Sequence, residues 1–134
     1  ETPVCGGWYT NLFPEIGMGA VAFNWHDVDD TKKILPITTS EFQADGELEE
    51  VDCVGTGFMA IHRSILESMP KFFDYPTPWF AELGMYGTQM GEDVTFCKRV
   101  QSLGFPVLID WGVTVDHIKP ILLTTETQIT ERLT

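Results

Sequence analysis

The chain has 134 residues, of which 43% are hydrophobic, enough for one domain with a substantial apolar core. Its 20 acidic and 8 basic residues give a net charge of −12, which argues against binding to nucleic acid or to an anionic membrane surface. No apolar run approaches the roughly 20 residues of a transmembrane helix, and three cysteines are too few for a disulfide framework. These features predict a cytoplasmic protein with free thiols and no transmembrane segment.

The first half of the chain has the pattern of short strands. Residues 3–9 and 19–25 are β-branched or aromatic and are bounded by Gly, Pro and Asn, so both are predicted strands. Residues 26–50 are polar and acidic around the apolar run "ILPI", which indicates a hairpin followed by a loop. A strand over 48–54 then meets two glycines and continues through "FMAI".

The next segment combines a short helix with an aromatic loop. "SILESM" predicts a helix that begins at Ser64 as its N-cap and ends before Pro70. Residues 72–91, "FFDYPTPWFAELGMYGTQMG", lack helical periodicity but are too apolar for an idle linker. This segment is therefore interpreted as a functional loop.

A long helix and two strands follow the loop. The helix begins at residue 91 and ends at Gly104, because an apolar stripe recurs every three or four residues between them. Strands are predicted for "PVLI" (106–109) and "VTVDHI" (113–118). The fold class is therefore α/β, a mixed sheet with one long and one short helix, with a domain over residues 1–120 and a polar tail over 121–134. The apolar stripe of the predicted helix consists of Phe96, Cys97, Val100 and Leu103.

Asp93 is a candidate general base. At 100° per residue it lies on the same helix face as Phe96 and Cys97, whereas Glu92 points about 100° away. A carboxylate in the first helical turn is stabilised by the helix dipole, and one that faces a cleft can accept a proton from a hydroxyl group. Taken alone, these residues are better explained by the preference of acidic residues for helix starts.

His117 is a candidate metal ligand. Strand alternation places Val113, Val115 and His117 on one face, predicted to be the buried one. A histidine there is either a core residue that hydrogen-bonds a carbonyl group or a ligand at the end of a strand.

The stretch "HDVDD" contains a DxD pattern in Asp27 and Asp29 that could grip a divalent cation. No glycine follows at the offset that an EF-hand loop requires, and the next residues include Lys32 and Lys33. These features favour a solvated acidic turn. A metal-dependent hydrolase would need this stretch, with His26, to converge with His117.

The order of these motifs resembles the C-terminal half of GT-A-fold glycosyltransferases, particularly family 2-like enzymes. The shared order is Gly-x-Gly-Phe after a strand, an aromatic Pro-Trp-Phe loop, Gly-Glu-Asp at a helix start, and a strand that ends in His. The resemblance is loose over residues 3–118 and close over 51–118. It implies transfer of a sugar from a nucleotide-sugar donor to an acceptor hydroxyl of a carbohydrate or other molecule, with inversion.

The resemblance also implies the binding residues. The family's glycine-bearing segment lies against the donor sugar, and it corresponds to Gly55, Thr56 and Gly57. A side chain there would block the sugar, because close backbone approach to a ligand tolerates no Cβ. The acceptor-side loop corresponds to Trp79 and Phe80.

The catalytic and metal residues follow from the same resemblance. The Glu-Asp motif corresponds to Glu92 and Asp93, with Asp93 as the base that activates the acceptor, and the terminal histidine corresponds to His117 as a ligand of Mn²⁺ or Mg²⁺. The family's nucleotide-binding half, which ends in the metal-binding DxD, precedes the strand that "PVCGGWY" resembles. Asp27 and Asp29 come after it, so the remaining metal ligands are expected from a half outside this chain. A non-catalytic sugar- or protein-binding module of the same fold remains an alternative.

Overall fold

The computed structural model describes residues 2–13, 17–38, 47–71 and 78–120. Within these ranges the chain forms an α/β structure with one short and one long helix and both parallel and antiparallel strand pairs, which confirms the coarse fold prediction. Neither helix in these ranges has the length and apolar composition that a membrane crossing demands. The elements are β1 (Val4–Trp8), β2 (Thr10–Phe13), β3 (Gly17–Val28), β4 (Thr31–Thr38), β5 (Leu48–Val51), β6 (Cys53–Val54), β7 (Met59–Ile61), α1 (Arg63–Ser68), β8 (Leu83–Met85), β9 (Thr88–Met90), α2 (Glu92–Ser102) and β10 (Val107–Thr114).

The first sheet has the strand order β5-β10-β1-β7 and is mixed, since β1 pairs in parallel with β10 and antiparallel with β7. The predicted apolar stripe of α2 belongs to the same core as this sheet, and Phe96, Cys97 and Val100 are fully buried. Complete burial of a side chain such as Phe96 stabilises the fold by about 1.5–3 kcal/mol. Gly104 ends the helix with φ +87, a conformation that favours glycine. The predictions for this helix are confirmed.

The second sheet has the order β2-β3-β4, with β6 paired to β3. The predicted hairpin is confirmed: β3 and β4 pair antiparallel up to Val28 and Thr31. Asp29 and Asp30 form its turn with φ of 49° and 60°. The loop predicted after this hairpin falls on residues 39–46, which lie outside the described residues.

The predicted strand over 48–54 is divided between the two sheets at Asp52. β5 pairs with β10 in the first sheet, whereas β6 pairs with β3 in the second. The carboxylate of Asp52 accepts a hydrogen bond from the Trp25 amide at 2.8 Å, and the Asp52 amide donates to the Asn24 side chain at 3.0 Å. These hydrogen bonds fix Asp52, where the chain passes from the first sheet to the second. Residues 55–58 then return the chain to β7 in the first sheet.

Two element boundaries differ from the sequence prediction. Helix α1 begins after His62, whose Nδ1 accepts the Ser64 amide at 3.3 Å, so Ser64 is inside the helix and is not its N-cap. The two predicted strands over 106–109 and 113–118 are one strand, β10, that ends at Thr114. A bulge accounts for this, because the pairing with β1 jumps from Asp110 to Thr114 between Gly7 and Trp8.

The segment that was predicted as one loop, residues 72–91, contains a small hairpin. Strands β8 and β9 pair antiparallel around Tyr86 and Gly87, both of which have positive φ. Residues 72–77 and the polar tail over 121–134 lie outside the described residues. In the described part, the aromatic loop is therefore confined to residues 78–82.

Candidate functional site

The two glycines of the segment 55–57 lie against the side chain of Tyr9. A Cβ atom at Gly57 would stand 2.6 Å from the Tyr9 hydroxyl oxygen. At Gly55 it would stand 2.7 Å from the same oxygen and 2.4 Å from Cγ1 of Val21. All three distances are too short for nonbonded atoms, so a side chain at either position would displace Tyr9 and, at Gly55, Val21 as well. Gly55 is buried, and Gly57 is exposed in a turn with Thr56.

Tyr9 lies where the chain passes from the first sheet to the second. It follows the last residue of β1, and its carbonyl oxygen accepts the Val21 amide of β3 at 2.9 Å. Its hydroxyl oxygen accepts a hydrogen bond from the backbone of Gly57. Burial raises the pKa of Tyr9, and the charge of Asp93 adds to the rise. Tyr9 is thus within electrostatic reach of the predicted catalytic carboxylate.

Asp93 is the second residue of α2, and its side chain is half-buried. Its Oδ1 accepts the Val94 amide at 2.8 Å. Burial raises the pKa of Asp93 and the neighbouring Glu92 charge raises it further, while backbone amide hydrogen bonds oppose the rise. Glu92 is exposed, as expected for the residue that points away from the core. A partly desolvated carboxylate of raised pKa is a better proton acceptor than a solvated one.

The start of α2 is fixed by Thr95, a buried hydroxyl residue. This hydroxyl lies 3.1 Å from the carbonyl oxygens of both Gly91 and Glu92, and it also donates to the carbonyl oxygen of Ala81. The contact with Ala81 ties the first turn of the helix to the end of the aromatic loop. Asp93 therefore projects from a rigid turn.

His117 lies in the irregular segment after β10 and is exposed, so its prediction on the buried face is wrong. The reason is that β10 ends at Thr114, beyond which strand alternation no longer sets the side-chain direction. The imidazole packs against Tyr9, with ring centroids 5.1 Å apart at an interplanar angle of 80°. The amide of Val115 donates to the Trp8 carbonyl oxygen at 3.1 Å, which anchors the segment beside Tyr9.

Two cavities meet at His117. The smaller, of 110 Å³, is lined by Tyr9, Gly57, Val115 and Asp116 together with His117. The larger, of 440 Å³, is lined by His117 and by Thr10, Asn11, Leu12, Met18, Lys119 and Pro120. The two cavities share His117 as a lining residue. We call this pair of cavities the His117 groove.

Lys119 places a cation beside the His117 groove in a strongly acidic protein. Its ammonium group lies 3.0 Å from the side-chain oxygen of Asn11. An ammonium and an amide offer donors for an anionic or hydroxyl-rich ligand. Tyr9, Asn11 and Lys119 were missed by the sequence reasoning, and the only signal for Tyr9 was its place directly after "CGGW", where a strand ends.

Trp79 and Phe80, predicted to contact the acceptor, are used in internal packing. The Trp79 indole donates to the Leu66 carbonyl oxygen at 2.9 Å, and Lys71 lies over its ring at 5.2 Å. Phe80 stacks on Phe96 at 4.4 Å with an interplanar angle of 19°. One face of each ring is therefore occupied, and neither residue lines the His117 groove.

The stretch "HDVDD" is an exposed hairpin end. Asp27 forms an ion pair with Lys32 at 3.0 Å, and both are exposed. In the ranges that the structure describes, no three His, Cys, Asp or Glu side chains form a group that could hold a metal ion. His26, Asp27 and Asp29 are therefore not gathered with His117, as the hydrolase alternative required.

A further cavity, of 290 Å³, lies on the face of the first sheet beside Cys5, Asp110, Phe58 and Val113. None of the site residues predicted from the sequence lines it. Cys5 is half-buried and Cys53 and Cys97 are buried, and all three are free thiols, as predicted.

We compared the chain with models of protein families, with curated proteins and with solved structures, and none of the three comparisons yielded a match. The functional assignment therefore depends on the geometry of the His117 groove and on the motifs that surround it.

Proposed function

We propose that this chain is the acceptor and catalytic-base part of an inverting GT-A-type glycosyltransferase. The observation that carries the proposal is that Tyr9 connects three of the motif elements. Its hydroxyl contacts the Gly57 backbone and its ring packs against the His117 ring. Burial raises the pKa of Tyr9, and the charge of Asp93 raises it further. Gly57 and His117 line the same cavity as Tyr9, and the charge of Asp93 acts on Tyr9, which supports a common site for these motif elements.

Asp93 would act as the general base. Its carboxylate accepts the proton of the acceptor hydroxyl while the hydroxyl oxygen bonds to the anomeric carbon of the donor sugar. The bond from that carbon to the nucleoside diphosphate breaks in the same step, and its electron pair leaves with the diphosphate. A single displacement inverts the anomeric configuration. The raised pKa of Asp93 suits this role, because a base works best with a pKa nearer the working pH.

The groove residues would bind the ligands. The donor sugar would lie against Gly57 and Thr56, which are exposed in their turn, whereas the buried Gly55 supports Tyr9 from beneath. Lys119 would contact the negatively charged part of the donor. The contacts of Trp79 and Phe80 favour a supporting role for the loop over direct stacking on the acceptor.

The residues of this chain do not by themselves fit a Mn²⁺ or Mg²⁺ site. His117 and Asp116 line one cavity and offer at most one nitrogen and one carboxylate, whereas these ions prefer near-octahedral sets of mainly oxygen ligands. We therefore infer that His117 contributes one ligand and that a nucleotide-binding half outside this chain supplies the others. We expect no saturable Mn²⁺ binding by the chain at micromolar concentrations.

The test is to produce the chain joined to the polypeptide encoded upstream and to offer a panel of nucleotide sugars with Mn²⁺. Release of nucleoside diphosphate that depends on an acceptor would support the proposal. The joined protein should also bind Mn²⁺ together with a nucleoside diphosphate. Tight Mn²⁺ binding by the present chain, abolished by Asp27→Ala or Asp29→Ala, would favour a metal-dependent hydrolase instead.

A sugar-binding module without catalysis is the second candidate, and the observation that favours it is the position of Lys119 and Asn11 on the larger cavity. Such a module would bind oligosaccharides as tightly after Asp93→Asn as before, and it would release no nucleoside diphosphate from any donor.

A further inference from the structure

Tyr9 lines the smaller cavity of the His117 groove and makes contacts through both its backbone and its side chain. Its backbone carbonyl oxygen accepts the Val21 amide, and the Val21 carbonyl oxygen accepts the Gly55 amide at 3.3 Å. Its hydroxyl oxygen accepts from the Gly57 backbone, and its ring meets the His117 imidazole edge to face. The backbone of Tyr9 is thus fixed from one side, while its side chain fills the space between the turn and the histidine.

The space at the glycine turn is shaped to admit this side chain. The tyrosine hydroxyl would collide with a Cβ at either Gly55 or Gly57. Aromatic side chains have two side-chain torsions, so a ring packed in this way has little freedom left. His117, by contrast, is exposed and lies in a segment without regular hydrogen bonding. Among the described residues, the ring contact with Tyr9 restricts how the imidazole can turn.

We propose that Tyr9 is a positioning residue that couples the Gly55–Gly57 turn to the imidazole of His117. The hydroxyl restrains the turn through its hydrogen bond with the Gly57 backbone. The ring restrains the orientation of the imidazole through the edge-to-face contact. The part of this inference that concerns metal binding rests on the proposed function, whereas the coupling between the turn and the histidine does not.

The two contacts can be separated by two substitutions. Tyr9→Phe removes the hydroxyl and keeps the ring, so the Gly57 amide loses its acceptor while His117 keeps its ring contact. Tyr9→Leu removes both. Tyr86→Phe and Tyr86→Leu are matched controls, because Tyr86 is an exposed tyrosine whose ring meets Trp25 at 5.1 Å, in another part of the structure.

The first measurement is amide hydrogen exchange. In Tyr9→Phe, we expect the Gly57 amide to exchange about fivefold faster, the effect of one lost hydrogen bond. The Val21 amide should keep its rate, because it donates to the backbone of Tyr9. An unchanged Gly57 rate would overturn the part of the proposal that assigns the hydroxyl to the turn. This variant keeps the ring, so the test does not depend on whether Tyr9→Leu folds.

The second measurement is the NMR spectrum of the histidine rings, of which the chain has three. An aromatic ring edge-on to an imidazole shifts its proton resonances. We expect the His117 ring resonances to stay near their wild-type positions in Tyr9→Phe and to move toward those of the exposed His26 in Tyr9→Leu. Unchanged His117 resonances in a folded Tyr9→Leu protein would overturn the proposal.

The third measurement uses trace Mn²⁺ as a paramagnetic probe, which a merely structural role of Tyr9 would not affect. In the wild type and in Tyr9→Phe, His117 should broaden before His26 and His62. In Tyr9→Leu, that preference should disappear. If Mn²⁺ shows no preference in the wild type while the first two measurements succeed, the metal role under the proposed function falls and the coupling by Tyr9 stands. If the preference survives in Tyr9→Leu, the positioning role is refuted.

Discussion

Two acidic regions of this protein look alike in sequence and differ in their surroundings. The hairpin end carries Asp27, Asp29 and Asp30, and the start of α2 carries Glu92 and Asp93. At the hairpin the carboxylates are exposed. At the helix, Asp93 is half-buried, and burial raises its pKa. The comparison shows that the proton affinity of a carboxylate depends on how far burial has removed its hydration.

The physical reason lies in the cost of charge. An exposed ion pair such as Asp27 with Lys32 contributes little to stability, because water screens it and both side chains lose freedom. A half-buried carboxylate cannot recover its hydration, so its ionised form is disfavoured and its affinity for a proton increases. The higher proton affinity of a half-buried carboxylate favours a role as a proton acceptor, which an exposed carboxylate at the hairpin end performs less well.

The largest expected effect is on turnover. Under the proposed function, Asp93→Asn in the chain joined to the polypeptide encoded upstream should lower kcat by about 10²- to 10⁴-fold, the usual contribution of a general base. Donor affinity should change little, since the amide retains the shape and one acceptor oxygen of the carboxylate. Steady-state kinetics of nucleoside diphosphate release would measure this.

Asp27→Asn is the matched control for that experiment and should leave kcat within about twofold, as expected of a solvated surface residue. Equal losses from the two substitutions would contradict the distinction between the two acidic regions.

The next effect concerns the close contact between the glycine turn and Tyr9. Gly55→Ala should lower the free energy of unfolding by about 1–3 kcal/mol, because the new Cβ meets the buried Val21 as well as Tyr9. Gly57→Ala should cost less, since the new Cβ meets the Tyr9 side chain alone and no second residue. Chemical denaturation of both variants would measure the difference.

Tyr9→Phe provides the check on that prediction. It removes the hydroxyl oxygen, which is the nearest atom to a Cβ at Gly57 but lies farther than Val21 Cγ1 from a Cβ at Gly55. It should therefore relieve most of the loss in Gly57→Ala and little of the loss in Gly55→Ala. Equal relief in the two backgrounds would show that Val21 is not the obstacle.

A smaller effect is a pH-dependent gain in stability. Because the pKa of Asp93 is higher in the folded than in the unfolded chain, its ionised form destabilises the fold. That cost is complete above the folded pKa and vanishes as the pH falls below the unfolded value of about 3.9. Asp93→Asn should therefore raise Tm near neutral pH, and the gain should shrink on acidification. A gain that is constant with pH would point to packing instead of charge.

The smallest effect is expected at the hairpin. Replacing Asp29-Asp30 by Asn-Gly should stabilise the protein by about 0.5 kcal/mol, because both turn residues have positive φ and Asn-Gly favours that conformation. Nucleoside diphosphate release should be unaffected. Thermal unfolding would measure the gain, and any loss of activity would reopen the case for a metal site at Asp27 and Asp29.

Some of the candidate site could be predicted from the sequence because its signals are local. The position of Asp93 at the first turn of α2 follows from a helical period and a terminating glycine, which depend only on residues a few positions apart. A hairpin within residues 26–50 was also predicted, and its turn at Asp29 and Asp30 lies there, although its first strand begins at Gly17.

Other parts depended on contacts between distant residues. The bulge that makes β10 continuous follows from its pairing with β1, about 100 positions away, and the division at Asp52 follows from bonds to Asn24 and Trp25. The inward packing of Phe80 follows in the same way from its contact with Phe96. A pattern of apolar residues does not specify which strand or ring will be the partner.

The sequence by itself determined the α/β class, the amphipathic helix and the acidic turn, because backbone conformation and helical or strand periodicity are decided by near neighbours. Only the tertiary structure decided that the glycines at 55 and 57 receive the ring of Tyr9 and that His117 stands exposed against the same ring. Both depend on how two sheets meet, and that geometry is set by the packing of the whole core.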